Sequence, residues 1–309
     1  MRASTLKADI LLLSAAIIWG TAFVAQRVGM DYVGPFTFNG LRFALGAISL
    51  LPLIFLSRDE QAPGEKLLPA TGTGLALAGG VLTGLALFAG ASLQQVGLVY
   101  TTAGKAGFIT GLYVIIVPLM GLIWKQRPSA GTWIGAVLAS VGLYFLSVTQ
   151  RFTIEFGDLL NLIGAFFWAG HVLIIAWLSP RIRPILLAFW QFIVCSLLSL
   201  ATALLFEEIN WSGIRGAAIP ILYGGLVSVG VAYTLQVVAQ RDARPAHAAV
   251  LLSMESPFAA LGGWIILNEI LGWRGITGAA FMLAGMLLSQ LWGVWQKETR
   301  PGRSGSDSR

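Results

Sequence analysis

The residue most able to do chemistry is a carboxylate within an apolar run. Glu255 stands in "LLSMESPFAALGG", near the middle of a stretch from 246 to 267 whose other residues are mostly apolar or small. An ionisable group at membrane depth is expensive and is therefore a functional candidate by default. Glu255 could carry a coupling proton or bind the cationic group of a substrate. The alternative is a structural partner for an internal base or a backbone group.

Three basic side chains also fall within apolar stretches. His171 could relay protons near neutral pH, or it could be a hydrogen-bonded packing residue. Arg42 lies roughly 10 Å into its helix at 1.5 Å per residue. It could snorkel to the outer surface, pair with an acid or hold a substrate carboxylate. Lys105 lies near the outer end of its helix, so we expect it to snorkel.

Uncharged polar side chains occur at the same depth. An amide cannot be satisfied by lipid, so we expect the glutamines to face the protein interior, in a cavity or as interhelical hydrogen bonds. These glutamines are Gln94, Gln95, Gln191 and Gln236. Trp19 and Trp168 lie near the midplane instead of at the membrane surface, where tryptophan is usually enriched. They could line a cavity, although core packing is an equal alternative.

The elements that carry these residues are predicted membrane helices. Of the 309 residues, 56% are hydrophobic and 11% are charged, and the mean hydropathy is +0.78. A run of about 18 or more apolar residues indicates a membrane helix. Ten such runs occur, at 9–26, 35–57, 72–98, 103–124, 130–149, 158–178, 185–206, 216–239, 246–267 and 275–295. We therefore expect an all-α polytopic membrane protein without a large soluble domain.

The distribution of basic residues predicts the orientation. A cytoplasmic N-terminus puts 14 of the 20 Lys and Arg residues inside and four outside, and leaves Arg42 and Lys105 within helices. This is a strong positive-inside bias, so both termini are expected in the cytoplasm. The net charge of +6 does not indicate nucleic-acid binding, because the basic residues are scattered singly over the loops.

The two halves of the sequence resemble each other. The segment "DILLLSAAIIWGTAFVA" aligns with "DLLNLIGAFFWAGHVLI" 149 positions later, and Trp19 then matches Trp168. A spacing of 142 relates Leu93–Gln94 to Leu235–Gln236. Five helices per half is an odd number, so the second half should be inverted, as in many secondary transporters. We predict repeats at 1–150 and 151–296, and a polar cytoplasmic tail at 297–309.

Motifs for other classes of protein are absent from the sequence. There is no G-x-x-x-x-G-K-[ST], no H-E-x-x-H and no G-x-S-x-G, so we expect no catalytic residues, cofactor or metal. A single cysteine, Cys195, permits no internal disulfide. Pro118 and Pro257 remove helix hydrogen bonds and are expected to kink the fourth and ninth helices.

Two long segments carry a family resemblance. "LQQVGLVYTTAGKAGFITGLYVIIVPLMG" (93–121) and "LQVVAQRDARPAHAAVLLSMESPFAALGGWIILNEILGWRGITGAAFMLAGMLL" (235–288) resemble the EamA family of the drug/metabolite transporter superfamily. The resemblance implies ten helices, two EamA repeats, cytoplasmic termini and export of metabolites or drugs such as amino acids. It matches Glu255 to the family's acid within the ninth helix and Glu269 to its frequent acid after that helix. The corresponding position in the first half holds Lys125 instead.

These observations predict a secondary exporter of a small organic metabolite or drug-like solute in the cytoplasmic (inner) membrane of a bacterium. Alternating access at a central cavity is the expected mechanism, with proton coupling as one option. The expected cavity residues are Glu255, His171, Trp19, Trp168, Gln94, Gln191, Gln236 and Arg42. The expected partners are the solute and the lipid bilayer, not nucleic acid, and a homodimer is compatible with this interpretation. The alternatives are an intramembrane lipid-modifying enzyme, which would need a clustered nucleophile or metal set, and a non-transporting scaffold.

Overall fold

The computed structural model describes residues 3–56, 71–124, 129–147, 154–243 and 245–298. Within these ranges the regular elements are helices, and none is a β-strand. The predicted tail lies outside the described residues from position 299 onward, and Lys125 also lies outside them. The prediction of an all-α multi-pass membrane protein is confirmed in this part of the chain.

The helices follow one another with short connections. In chain order they are α1 (Ala3–Gly29), α2 (Pro35–Leu56), α3 (Thr71–Tyr100), α4 (Ala103–Gly111), α5 (Tyr113–Met120) with a 3₁₀ turn (Gly121–Trp124), α6 (Ala130–Ser147), α7 (Phe156–Leu178), α8 (Pro184–Phe206), α9 (Trp211–Gly216), α10 (Ala218–Leu222), a π-helix (Tyr223–Tyr233), α11 (Thr234–Gln240), α12 (Pro245–Ser253), α13 (Glu255–Leu267) and α14 (Trp273–Glu298).

Eight stretches of the described residues are long and apolar enough to cross a membrane, whereas ten were predicted. They are Leu6–Gly29, Pro35–Leu56, Gly74–Tyr100, Ala103–Ile123, Phe156–Leu178, Pro184–Phe206, Ala218–Gln240 and Pro245–Leu267. The other two predicted spans correspond to α6 and α14, whose apolar parts are shorter, at Trp133–Leu146 and Trp273–Leu288. These two helices pack along each other.

Two of the predicted continuous spans are interrupted. The fourth breaks at Leu112, between α4 and α5, and the ninth breaks at Met254, between α12 and α13. Pro257 explains the second break, because a proline ring clashes with the carbonyl four residues earlier and that residue is Ser253, where α12 ends. Pro118 does not explain the first break in this way, since it stands inside α5, six residues beyond Leu112.

The eighth predicted span is not a regular α-helix either. Its middle, Tyr223–Tyr233, is π-helical, which is rare and often found at functional sites. This segment packs closely against α2. A Cβ atom at Gly225 would lie 2.6 Å from the Leu45 Cβ and 3.0 Å from the Arg42 carbonyl oxygen, so this contact requires glycine. The π-helix also packs against α1, so it lies between the helices that carry Trp19 and Arg42.

Candidate functional site

A small cavity with several polar side chains in its wall lies among α1, α2, α3, α7, the π-helix and the breaks in the fourth and ninth spans. Seven of the eight predicted site residues line it, namely Glu255, His171, Trp19, Trp168, Gln94, Gln236 and Arg42. The wall also contains Phe23, Gln26, Thr110, Tyr113, Val172, Ser228, Tyr233 and Leu252. The volume open to the centres of water molecules is ≈ 30 Å³. This is room for about two waters.

Glu255 lies at the break in the ninth span. It is the first residue of α13, only 4% exposed, and its Oε1 atom has no hydrogen-bond partner. Tyr113 is the first residue of α5 and therefore holds the matching position at the other break. Its hydroxyl lies near the Glu255 carboxylate but outside hydrogen-bond geometry. In both interrupted spans, the first residue after the break, Tyr113 or Glu255, thus places a polar side chain in the cavity wall.

Arg42 is buried in the wall of the cavity and does not snorkel. It is 2% exposed, and its Nε atom donates a 3.0 Å hydrogen bond to the Asn39 Oδ1 atom. The guanidinium carbon lies 4.9 Å from the centre of the Phe43 ring and 5.6 Å from that of Phe38, which is cation–π geometry. The Nη2 atom has no partner, and no acid pairs with Arg42 in the described ranges. Of the options predicted for this residue, neither snorkelling nor pairing with an acid is found among the described residues.

His171 and Gln191 form a buried pair. The His171 Nε2 atom lies 2.8 Å from the Gln191 Oε1 atom, and the His171 Nδ1 atom has no partner. The imidazole faces the cavity, whereas Gln191 lies behind it and is not part of the wall. This geometry fits the hydrogen-bonded packing role and places the two predicted residues together.

A chain of amides closes one end of the cavity. The Gln94 Oε1 atom accepts a 3.0 Å hydrogen bond from the Trp168 Nε1 atom, and the Gln94 Nε2 atom donates one of 3.1 Å to the Gln26 Oε1 atom. Gln95 donates a 3.2 Å bond to the Gln26 carbonyl oxygen. Gln26 was not predicted as a site residue, since a single glutamine near a helix end gives no signal. All four predicted glutamines are buried, at 5% exposure or less, with Gln236 in the cavity wall.

The two predicted tryptophans meet at one tyrosine that the sequence did not single out. The Trp19 ring centre lies 4.5 Å from that of Tyr233, and the Trp168 ring stacks on Tyr233 at 6.2 Å. The Trp19 Nε1 atom donates a 3.2 Å bond to the Ser228 carbonyl oxygen in the π-helix. The sequence feature that marks Tyr233 is a tyrosine within an apolar span, away from both membrane surfaces.

Lys105, which was predicted to snorkel, is held by two acids. Its Nζ atom lies 2.6 Å from the Glu155 Oε2 atom and 2.9 Å from the Asp158 Oδ2 atom. Asp158 is fully buried and also accepts a 2.5 Å hydrogen bond from Thr101. The two carboxylates hold the ammonium because a buried acid needs a nearby cation. A larger open cleft of ≈ 620 Å³ lies beside this cluster and extends to Glu269.

Two acids that follow helices cap the start of other helices. The Glu269 carboxylate accepts hydrogen bonds from the backbone N–H groups of Ala103 and Gly104, at 2.8 and 3.0 Å, at the start of α4. The Glu207 carboxylate accepts bonds of 2.7 to 2.8 Å from the Phe36 N–H and from both the N–H and the hydroxyl of Thr37, at the start of α2. Carboxylates are favoured at helix N-termini, where the N–H groups lack helical partners.

Comparison with known proteins identifies the family of this chain. Residues 6–148 and 155–291 match the EamA-like transporter family. An uncharacterized transporter of Archaeoglobus fulgidus is 34% identical over 290 residues, covering 93% of this chain and 86% of that protein. A probable amino-acid metabolite efflux pump of Salmonella typhimurium is 25% identical over 296 residues, covering 92% and 94%.

Further similarities concern location and fold. The inner membrane transporter YedA of Escherichia coli, also uncharacterized, is 28% identical over 163 residues, covering 51% of this chain and 49% of that protein. One solved crystal structure has a TM-score of 0.68 at 16% identity, covering 92% of this chain and 98% of its own, and therefore shares the fold. The chain belongs to the EamA-like transporter family and is a multi-pass membrane protein of that family.

Proposed function

We propose that the protein is a secondary transporter that exports a small zwitterionic solute, with one amine and one carboxylate, by alternating access. The observation that carries the proposal is a small cavity whose wall holds two buried ionisable residues, one basic and one acidic, that do not pair with each other. Arg42 has a free Nη2 atom and Glu255 a free Oε1 atom. The probable efflux pump of Salmonella typhimurium is named for amino-acid metabolites, and amino acids themselves carry one amine and one carboxylate.

The two charges define what the cavity would bind. A buried charge without a partner costs several kcal/mol, so a ligand that supplies the partner gains that energy. Arg42 would hold the carboxylate of the solute, since a guanidinium binds carboxylates with directed N–H groups. Glu255 would hold the ammonium. When no solute is bound, a proton on Glu255 would remove the charge, and this exchange would couple export to proton entry.

The arrangement of the helices supports ten spans in two inverted repeats. The His247 Nε2 atom at the start of α12 lies 2.7 Å from the Asp9 Oδ1 atom near the start of α1, so these helices start on the same side. Glu269, which follows α13, contacts the start of α4, so the fourth span starts where the ninth ends. The two interrupted spans therefore run in opposite directions, as repeats at 1–150 and 151–296 require. With the basic residues inside, both termini face the cytoplasm.

Transport in proteoliposomes tests the proposal. The purified protein would be reconstituted in vesicles loaded with an unlabelled solute, and uptake of the labelled solute by exchange would be measured. The solutes are the neutral amino acids glycine, alanine, valine, leucine, phenylalanine and tryptophan, each compared with its decarboxylated amine and its deaminated acid. We expect exchange of one or more amino acids and little exchange of the singly charged analogues.

Two arginine variants show whether the cavity carries this transport. Arg42→Gln should abolish exchange of the amino acid, because the carboxylate loses its partner. Arg27→Gln is the matched control, since Arg27 is partly exposed and pairs with Asp31 outside the cavity wall. Equal exchange of the charged fragments and the amino acid would contradict a zwitterion site. Unchanged exchange by a folded Arg42→Gln protein would do the same.

A further inference from the structure

Tyr233 is the side chain around which the aromatic wall of the cavity is built. It is 5% exposed and contacts five other rings. The ring-centre distances are 4.5 Å to Trp19, 6.0 Å to Phe43 and Phe192, and 6.2 Å to Trp168 and His171. Trp19 and Trp168 come from the two halves of the chain, so this one ring joins both halves.

Tyr233 shares the wall of the cavity with Arg42 and Glu255, the two ionisable groups that would bind the solute. Those two groups form no salt bridge with each other among the described residues. The tyrosine therefore occupies part of the space that a solute would need in order to touch both charges.

The backbone fixes this position, and the first half of the chain offers no equivalent. Tyr233 is the last residue of the π-helix, whose close contact with α2 at Gly225 sets the register. The spacing of 142 that relates Leu93–Gln94 to Leu235–Gln236 pairs Tyr233 with Ala91, which is buried and small. The second half thus has the bulky ring of Tyr233 where the first half has the methyl group of Ala91.

We propose that Tyr233 determines the size of solute that the cavity accepts. This inference rests on the proposed function, because it concerns the solute that would bridge Arg42 and Glu255. The remaining space, ≈ 30 Å³ for the centres of water molecules, holds about two waters, which is less than an amino acid with a bulky side chain occupies. The cavity must enlarge to take such a solute, and the Tyr233 ring contacts three other rings of its wall, those of Trp19, Trp168 and His171. Its bulk sets how much room a side chain of the solute obtains.

Substitutions at Tyr233 separate ring size from hydroxyl chemistry. Tyr233→Ala and Tyr233→Leu make room in the cavity and should shift the preference from small to large amino acids. Tyr233→Phe keeps the ring and should keep the size preference. Tyr223→Ala is the matched control: Tyr223 is a tyrosine in the same π-helix, but it bonds to Thr21 and is not part of the cavity wall.

The readout is the ratio of exchange rates for tryptophan and glycine in proteoliposomes. One misfitting methylene in a pocket changes specificity by about 10- to 200-fold, so Tyr233→Ala should raise this ratio at least about tenfold. Tyr233→Leu should also raise the tryptophan-to-glycine ratio. If Tyr233→Ala does not fold, the result for Tyr233→Leu tests the inference. A ratio that moves no more than in Tyr223→Ala, in active and monodisperse protein, would overturn the inference while leaving the proposed function intact. A wild type that exchanges none of the amino acids would overturn both.

Discussion

Replacing Glu255 by glutamine is the most direct perturbation of the cavity, because it keeps the shape of the side chain and removes its charge. The carboxylate is 4% exposed and its Oε1 atom has no partner, so a solute ammonium would supply a charge-assisted hydrogen bond that the amide cannot match. Such a bond contributes about 1.5–3 kcal/mol. Because 1.4 kcal/mol is a factor of ten, we expect kcat/KM for exchange to fall about 10- to 100-fold.

The same substitution should change the dependence of transport on pH. In the wild type, proton and ammonium compete for one carboxylate, so acidification should weaken binding of the solute and alkalinisation should strengthen it. Glutamine does not titrate, and the profile of Glu255→Gln should be flat through the range in which the wild type varies. If a tyrosine or a histidine of the cavity were the titrating group, the Glu255→Gln protein would keep the pH dependence of the wild type. Comparing the two pH profiles therefore identifies the titrating group.

The assay is amino-acid exchange in proteoliposomes with equal pH on both sides, repeated from mildly acidic to mildly alkaline conditions. Glu208→Gln is the control, since Glu208 is exposed and lies directly after the capping acid Glu207. Size-exclusion chromatography and thermal unfolding establish that each protein is folded. Wild-type rates together with a wild-type pH profile in Glu255→Gln would refute the reasoning and make the carboxylate a structural group.

Two further predictions concern the contacts that hold the helices together. Glu207→Ala removes three hydrogen bonds at the start of α2 and should lower the free energy of unfolding by about 2–4 kcal/mol. Thermal or denaturant unfolding measures this change. An unchanged stability would show that water replaces the carboxylate. Lys105→Met leaves Asp158 buried without its cation and should destabilise the protein by about 3 kcal/mol, whereas adding Asp158→Asn should restore much of the loss. A double variant that is no more stable than Lys105→Met would contradict this pairing.

The sequence predicted the membrane character and the burial of the polar side chains because both follow from solvation alone. A span must be apolar whatever it contacts, and a glutamine such as Gln95 or Gln236 must avoid lipid whatever its partner. The interruptions are harder to predict. Pro257 clashes with the carbonyl of Ser253, so the helix breaks one turn before the proline. The break at Leu112 has no proline at the matching position.

The partners of the polar side chains could not be predicted from the sequence. Lys105 stands near the end of a helix, where snorkelling has a low cost, and only the fold brings Asp158 to it from 53 positions away. Tyr233 was overlooked for a related reason. Its importance comes from five rings that four different helices bring together, and no short sequence pattern contains them.

Glu269 would make the two sides of the proposed inverted repeat unequal. Its carboxylate ties the segment after α13 to the first N–H groups of α4, and this joins the two interrupted spans at one membrane face. The corresponding position of the first half holds Lys125, and a cation is unfavourable at a helix N-terminus. The sequence therefore offers no carboxylate at the position that would correspond to Glu269. Alternating access needs each face of the protein to open in turn. A hydrogen-bonded contact at one face only would therefore make the state closed at that face more stable than the state closed at the other face when no solute is bound.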